Sequence, residues 1–523
     1  MHNCVHNQVE SMHKRYLRDT PDVQPKNLNF HLIMRIVKYL AAKVKEVYNP
    51  AFNFHQYVAS KPGSSRRRFL KAYNQLLRGT NDLKKISKIT AFVKNERYFE
   101  EGKAPRMIMG RDPRFNIKYA RFIARFEDAF FQLPQVANCC DFWSCGEKFR
   151  QLYEKVSTRF FENDFSKYES SQRRFVLMIE FLVYAFTTPE DEIDDLLILF
   201  AVKCVKSGHT EAGLEFFFLW CRGSGDLDTS CGNGIPNYVA TMYFKIMNFC
   251  PRRSECIMDG SCCAFDKFVI KGDDSYGTIP EDHRAELLNT YSYFGFDAKL
   301  IVREDGRTTE FCSGNFVRMR DGRFLYVQKL KKLITSLSTV INPDVNRHGW
   351  HAHYYRSLGD MYKQLYGDLP IYGDIADFLR TSSDKLKINI NLVNESYGAN
   401  EAFSQKPRSV QKIDVCPETL VDISMNNDMS FSELEAISKY FRSNKLVFPA
   451  HMSKRCNWKF SKADAMQPLD QDVTSVKCTN IGKYAEVIAK DLRVLLRDPD
   501  KMLPISAAQS TDAGLRLVQP RRA

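Results

Sequence analysis

The stretch from Ala264 to Ile279 constrains this chain more tightly than any other. Two runs of strand character, Ala264 to Lys271 and Ser275 to Ile279, flank Gly272-Asp273-Asp274, and that pattern predicts a hairpin. Gly272 suits a turn whose backbone angles other residues avoid. Phe265, Phe268, Val269 and Ile270 would bury the flanks. Two adjacent carboxylates on such a turn repel each other, and holding them together calls for a cation. Standing alone, the same three residues describe more simply a solvated surface turn.

A second segment changes that balance. Phe160-Phe161-Glu162-Asn163-Asp164 reads as a short strand ending on an acidic residue. Laid beside the hairpin, it brings Asp164 next to Asp273. Carboxylates from two strands make an oxygen-rich site suited to Mg²⁺. Two such ions can activate a 3′-hydroxyl and stabilise a departing pyrophosphate in an in-line displacement.

Charge is distributed unevenly. Between Lys61 and Arg125 there are 18 Lys or Arg against 5 Asp or Glu, an excess of 13 within a net charge of +14. One basic zone on an otherwise balanced chain suits a polyanion, nucleic acid or nucleotide phosphates first; a solvated basic surface is the simpler alternative. With 44% hydrophobic and 26% charged residues the chain is globular, not disordered. Its 523 residues suit about three domains or the interlocked lobes of one enzyme.

The 15 cysteines are odd in number and show no regular framework, which suits reduced thiols in an intracellular compartment. Cys250, Cys256, Cys262 and Cys263 lack paired zinc-ligand spacing, so buried thiols are favoured over a zinc site. The polar N-terminus carries no signal-peptide core. No run of about 18 apolar residues predicts a spanning helix. His31 to Tyr48 reads as a basic amphipathic helix, its apolar face packed on the protein's own core in preference to a membrane.

Elsewhere the periodicity predicts a loop at Lys61–Ser65 and then a helix, strands at Thr90–Val93 and Arg106–Met109, and a helix after Asn116. Helices are predicted at Gln172–Phe186 and Glu192–Val205. A Gly-rich loop, Gly223–Gly234, leads into a helix at Ile235–Met247. Phe216–Trp220 reads as packing. The chain is mainly helical from Lys329 to about Thr381, residues 382–523 carry weak signals, and the last ten or so read as loose.

Taken in order, Asn163-Asp164-Phe165-Ser166-Lys167-Tyr168-Glu169, Gly223-Ser224-Gly225-Asp226-Leu227-Asp228-Thr229 through Asn233, and Lys271-Gly272-Asp273-Asp274-Ser275 resemble polymerase motifs A, B and C. The whole resembles the RNA-dependent RNA polymerases of positive-strand RNA viruses, nearest to the tombusvirus-like and nodavirus-like groups. Phe92-Val93-Lys94-Asn95-Glu96 with Ala104-Pro105-Arg106 through Asn116 resembles motif F. Phe294–Lys299 resembles motif D, Glu310–Ser313 motif E, and Gly63–Phe69 motif G. The resemblance covers about residues 55–330, and ordered motifs are far more specific jointly than singly.

The resemblance implies an α+β right-hand fold of fingers, palm and thumb, with an antiparallel palm sheet backed by helices. It implies an N-terminal extension (1–54) bracing fingers and thumb, fingers (55–157), palm with a fingers insertion (158–328), thumb (329–460) and a partly loose C-terminal extension (461–523). Asp164 and Asp273 would bind two Mg²⁺ ions, or Mn²⁺, with Asp274 in support. Lys94, Arg106 and Arg111 would hold the triphosphate, a role suited to Arg's fork of donors and Lys's mobile charge. Ser224 and Gly225 would touch template and nucleotide, and Asn233, with Thr229, the ribose 2′-hydroxyl. Lys299 would be the general acid for pyrophosphate departure. Arg66, Arg67 and Arg68 would meet template, and Cys312 and Ser313 the nascent strand.

One position departs from the family pattern. Where these groups usually carry a second motif A aspartate, this chain has Glu169, which can still accept a hydrogen bond from a ribose 2′-hydroxyl. Implied partners are RNA template and product, nucleoside triphosphates and viral or host replication proteins. The implied setting is the host cytoplasm, in replication complexes held at a membrane through a partner. A reverse transcriptase-like enzyme and a non-catalytic RNA-binding replication factor remain the alternatives.

Overall fold

A computed structural model describes residues 3–17, 21–61, 63–79, 82–94, 96, 103–154, 159–250, 267–279, 282–338, 340, 342–381, 386–393, 413–446, 481–499 and the backbone of 513–517. Cys256, Cys262, Cys263 and the expected strand residues before Lys267 lie outside this set. Cys250 is buried.

Among the described residues the strands are β1 (Ile89–Val93), β2 (Met107–Arg111), β3 (Arg159–Phe165), β4 (Val205–Thr210), β5 (Leu214–Leu219), β6 (Phe268–Lys271), β7 (Asp274–Ile279), β8 (Ala298–Arg303), β9 (Gly314–Arg318), β10 (Phe324–Gln328) and β11 (Ala513–Leu517). Four of them form a sheet in the order β6-β7-β3-β8, antiparallel throughout. Strand alternation sorts its side chains onto two cores. Phe161, Phe165, Phe268 and Ile270 join a large core with helices Phe30–Val47, Arg174–Thr187 and Thr229–Phe249. Phe160, Val269 and Tyr276 face the other way, toward helix Phe142–Tyr153, where Phe149 stacks on Phe316 of β9 with centroids 4.2 Å apart. Each such ring fully buried stabilises the fold by roughly 1.5–3 kcal/mol. A sheet clamped on both faces holds its strand ends rigidly, and the acidic residues sit on those ends.

The second sheet has the order β11-β5-β4-β1-β2. Its β1–β2 pair is antiparallel, and β1–β4 is parallel. Helix Val5–Arg15 lays Val5, Val9 and Met12 on this sheet, against Ile89, Met107 and Phe216. The apolar face of helix Phe30–Val47 (Leu32, Ile33, Ile36, Val37, Leu40, Val44) is buried in the large core, so it packs on protein as expected. No helix among the described residues is long and apolar enough to cross a membrane.

Several expectations are corrected. The motif B loop ends at Asp228, and Thr229 through Gly234 are already helical. The helix runs through Pro236, starting with Gly232 N–H donating to Asp228 O at 2.8 Å. The helix expected after the Lys61–Ser65 break already begins at Gly63. Phe216, Phe217 and Phe218 do pack as expected, buried in the two cores, and they do so from β5. The C-terminal region is also more ordered than read. Helix Ile481–Arg497 buries Ile488, Leu492 and Leu495 in the large core, and β11 extends β5, with Leu515 opposite Phe216.

Candidate active site

Strand register assembles the acidic residues. The last β3–β7 pair is Asn163 with Ser275, and Asp164 stands directly opposite Lys299 of β8. Alternation puts Glu162 and Asp164 on the same face as Asp274 and Tyr276 of the neighbouring strand. Asp273 sits in the turn between, where Gly272 adopts φ +63°, the left-handed angle that favours glycine. The turn is held from behind. Asn237 Nδ2 donates to Gly272 O at 3.0 Å and lies 3.3 Å from both Asp273 O and Asp274 O.

The carboxylates strain against one another. Burial raises the pKa of Asp164, while Lys299, Arg106 and Lys103 pull it down. Burial also raises Asp273, and the charge of Asp164 adds to it. Asp274 is pushed up to about 7 by burial and then by Asp273 and Asp164, against a hydrogen bond with Cys312. Among the described residues, no three His, Cys, Asp or Glu side chains form a ready-made metal cage. Mg²⁺ does not need one, since it binds through one or two carboxylates together with water and substrate phosphates. The hard oxygens and their mutual repulsion fit such an ion.

Lys299, Arg106 and Lys103 lie close enough to this end of the sheet for their charges to act on Asp164. Lys94 and Arg106 are half exposed and share Glu96, at 3.1 and 3.5 Å. Lys103, which the sequence reading missed, also acts on Asp164. Lys299 is exposed beside Asp164. Arg66, Arg67 and Arg68 are exposed on helix Gly63–Leu77. Arg67 also lines a shallow groove with Lys71 and Arg78.

Arg111 is a correction. Its side chain is 1% exposed beside Asp226, and its guanidinium donates to the carbonyls of Ser87, Lys203 and Val205 at 2.7, 2.8 and 3.1 Å. Those bonds use its donors for bracing, so it does not face a triphosphate. The Cys312 thiol donates a hydrogen bond to the Asp274 carboxylate, and Ser313 Oγ accepts from Lys332 Nζ at 2.7 Å.

The motif B loop rests on buried charges that the sequence reading overlooked. Lys206 pairs with Asp226, and Arg222 with Glu180. Lys203 bridges Glu180 at 2.8 Å and Asp228 at 2.7 Å. A lone Glu and Lys inside the apolar runs 174–187 and 193–204 were the available signal. Ser224 O accepts from Met109 N–H at 2.7 Å, tying the loop to β2. Thr229 Oγ1 donates to Asp226 O at 2.6 Å, so it braces the loop. Gly225 is exposed at φ +101°. Asn233 lies against the acidic turn, its Cβ 3.9 Å from where a side chain on Gly272 would begin. Its buried Oδ1 has no partner among the described residues.

Glu169 is held by the N-terminal helix. Arg15 Nη1 donates to its Oε1 at 2.7 Å, a contact no sequence pattern announced.

Paired acidic strand ends beside basic groups suit, by their chemistry, divalent cations and phosphates. Residues 143–392 match the family described as RNA dependent RNA polymerase, a span containing Asp164, Glu169, Asn233, Asp273, Asp274 and Lys299. The chain is 24% identical over 345 residues to a groundnut rosette virus protein named RNA-directed RNA polymerase, covering 61% of this chain and 38% of that one. It is 24% identical over 261 residues to a tobacco necrosis virus protein of the same name, covering 46% of this chain and 34% of that one. The chain therefore aligns with little more than a third of each relative's length. The resemblance carried by the ordered motifs holds: the chain is similar to viral RNA-dependent RNA polymerases of the tombusvirus-like group.

Proposed function

We propose that this chain is an RNA-dependent RNA polymerase that copies a viral RNA genome, adding nucleoside triphosphates to an RNA 3′-hydroxyl by two-metal-ion nucleotidyl transfer. The observation that carries this reading is the convergence of Asp164, Asp273 and Asp274 at one end of an antiparallel sheet. On this reading that sheet is the palm of a right hand. The β1–β2 ribbon and helix Gly63–Leu77 belong to the fingers, and the helices after Lys329 to the thumb.

Asp164 and Asp273 would hold two Mg²⁺ ions, with Asp274 in support; Mn²⁺ suits the same oxygens. When bound, the ions activate the 3′-hydroxyl and neutralise triphosphate charge. Lys94 and Arg106 bind the triphosphate in exchange for Glu96, their present partner. Asn233 Oδ1, buried and unpartnered among the described residues, accepts a hydrogen bond from the ribose 2′-hydroxyl, and Glu169 shares that role. Lys299, beside Asp164, gives a proton to the departing pyrophosphate. Ser224 and Gly225 touch template and nucleotide, Arg66, Arg67 and Arg68 guide template phosphates, and the Cys312–Ser313 turn supports the nascent 3′ end. By the same reading the protein works in the host cytoplasm, in replication complexes attached to a membrane through a partner.

The test is primer extension and de novo synthesis on a defined RNA with Mg²⁺ or Mn²⁺. Asp273→Asn is expected to abolish incorporation and leave RNA binding largely intact. A wild-type preference for deoxyribonucleotides, or no incorporation on any template, overturns the reading.

A further inference from the structure

Two consecutive residues, Arg15 and Tyr16, reach three segments of the candidate site. Arg15 closes helix Val5–Arg15, and its guanidinium is spread over two elements. Nη1 donates to Glu169 Oε1 at 2.7 Å, while Nε and Nη2 donate to the carbonyls of Pro105 and Ala104 at 2.8 and 3.0 Å. Those carbonyls immediately precede Arg106. The next residue, Tyr16, stacks on Phe218 with centroids 5.5 Å apart, and its hydroxyl accepts from Ser224 N–H at 3.4 Å. The ion pair is shielded, with side chains 9% and 14% exposed.

The chemistry of Glu169 makes this contact more than a brace. A glutamate has one more rotatable bond than an aspartate, so an unheld carboxylate would spread over several positions. A guanidinium on one oxygen fixes the plane of the carboxylate. Among the described residues, Oε2 has no donor. Glu169 is also close enough to the catalytic turn for its charge to act on Asp273. The same guanidinium anchors the backbone just ahead of Arg106, so one side chain sets both a ribose-facing acceptor and a triphosphate-facing donor.

We propose that Arg15 is a positioning residue for sugar selection: it holds Glu169 so that its second oxygen receives the ribose 2′-hydroxyl, and it aligns that oxygen with Arg106. The proposal rests on the polymerase reading above. It extends that reading to a residue that touches neither substrate nor cation.

The test measures kcat and KM for one ribonucleotide and its 2′-deoxy counterpart on a primed RNA template, using the full chain. The proteins are wild type, Arg15→Ala, Arg15→Lys, Glu169→Ala, the double variant Arg15→Ala/Glu169→Ala, and Lys14→Ala as an exposed control on the same helix. Arg15→Ala is expected to raise the ribonucleotide KM and shrink the ribo-over-deoxy preference by about tenfold or more, the scale of one oriented hydrogen bond to a hydroxyl. Arg15→Lys recovers part of that preference. The double variant is no less selective than Glu169→Ala, because both act through one carboxylate. Lys14→Ala leaves the preference unchanged. If Arg15→Ala slows both nucleotides equally, or if the two alanine effects on preference multiply, Arg15 is only a structural brace and the proposal fails. Thermal melts of each variant separate unfolding from loss of selectivity, and Arg15→Lys carries the test if Arg15→Ala does not fold. An inactive wild type instead overturns the polymerase reading, and this proposal with it.

Discussion

Asn237 Nδ2 lies 3.0 Å from Gly272 O, and this bond joins the middle of helix Thr229–Phe249 to the acidic turn. Asn237 follows Asn233 by four residues, so the two stand on one face of the helix. One helix therefore fixes the turn by its backbone and offers Asn233 to the same space.

Replacing Asn237 with Leu should leave the turn carbonyls without that donor. An orphaned buried acceptor costs about 1–3 kcal/mol. The expected outcome is a lower melting temperature and a fall in kcat with little change in KM, measured by thermal denaturation and steady-state incorporation. An unchanged kcat would show that the turn holds its shape without this bond.

The charges beneath the motif B loop predict a large and specific loss. Lys203→Met leaves Asp228 and Glu180 to share Arg222 alone. Removing one partner from a buried ionic group costs about 3–5 kcal/mol. Denaturant unfolding should show that loss. The double change Lys203→Met with Glu180→Leu, which removes a positive and a negative group together, should restore part of it.

Lys245 makes stability rise with pH. Burial, with repulsion from Lys267, lowers its pKa from 10.5 to about 7. Between those values the unfolded chain holds the proton and the folded chain has released it, so rising pH favours the fold. The penalty for burying the charge is full below pH about 7 and is gone above about 10.5. Across the accessible part of that window, stability should climb by about 1 kcal/mol per pH unit from this residue. Equilibrium unfolding of Lys245→Met between pH 7 and 9 should lose most of that slope.

Repulsion among Asp164, Asp273 and Asp274 predicts that Mg²⁺ stabilises the protein against heat and that a chelator reverses the effect. At saturating ion the gain should be about 1–3 kcal/mol. Asp273→Asn removes one charge, so its melting temperature should rise without the ion and respond less to adding it. Equal responses in the two proteins would place the ion elsewhere.

The acidic centre was legible in the sequence because it is built from local patterns. The apolar run before Asp164 and the hairpin around Gly272 are short-range features, and their strands appear at β3, β6 and β7. Asn233 and Lys299 became candidates because motif order points to them. Helix Thr229–Phe249 starts earlier than read because Gly232 and Gly234, which locally favour a loop, lie within it.

Local pattern therefore singled out Asp164, Asp273 and Asp274 as candidate cation ligands, and motif order added Glu169 and Asn233 as candidate hydroxyl acceptors. Tertiary structure decided how they are held. Arg111, a triphosphate candidate by its position in the chain, is enclosed by Ser87, Lys203 and Asp226. Arg15, one cation among many in the sequence, crosses 154 residues to reach Glu169. The physical reason is that backbone periodicity acts over a few residues, whereas a buried charge is governed by whichever partners the packed chain brings to it, however far apart they lie in the sequence.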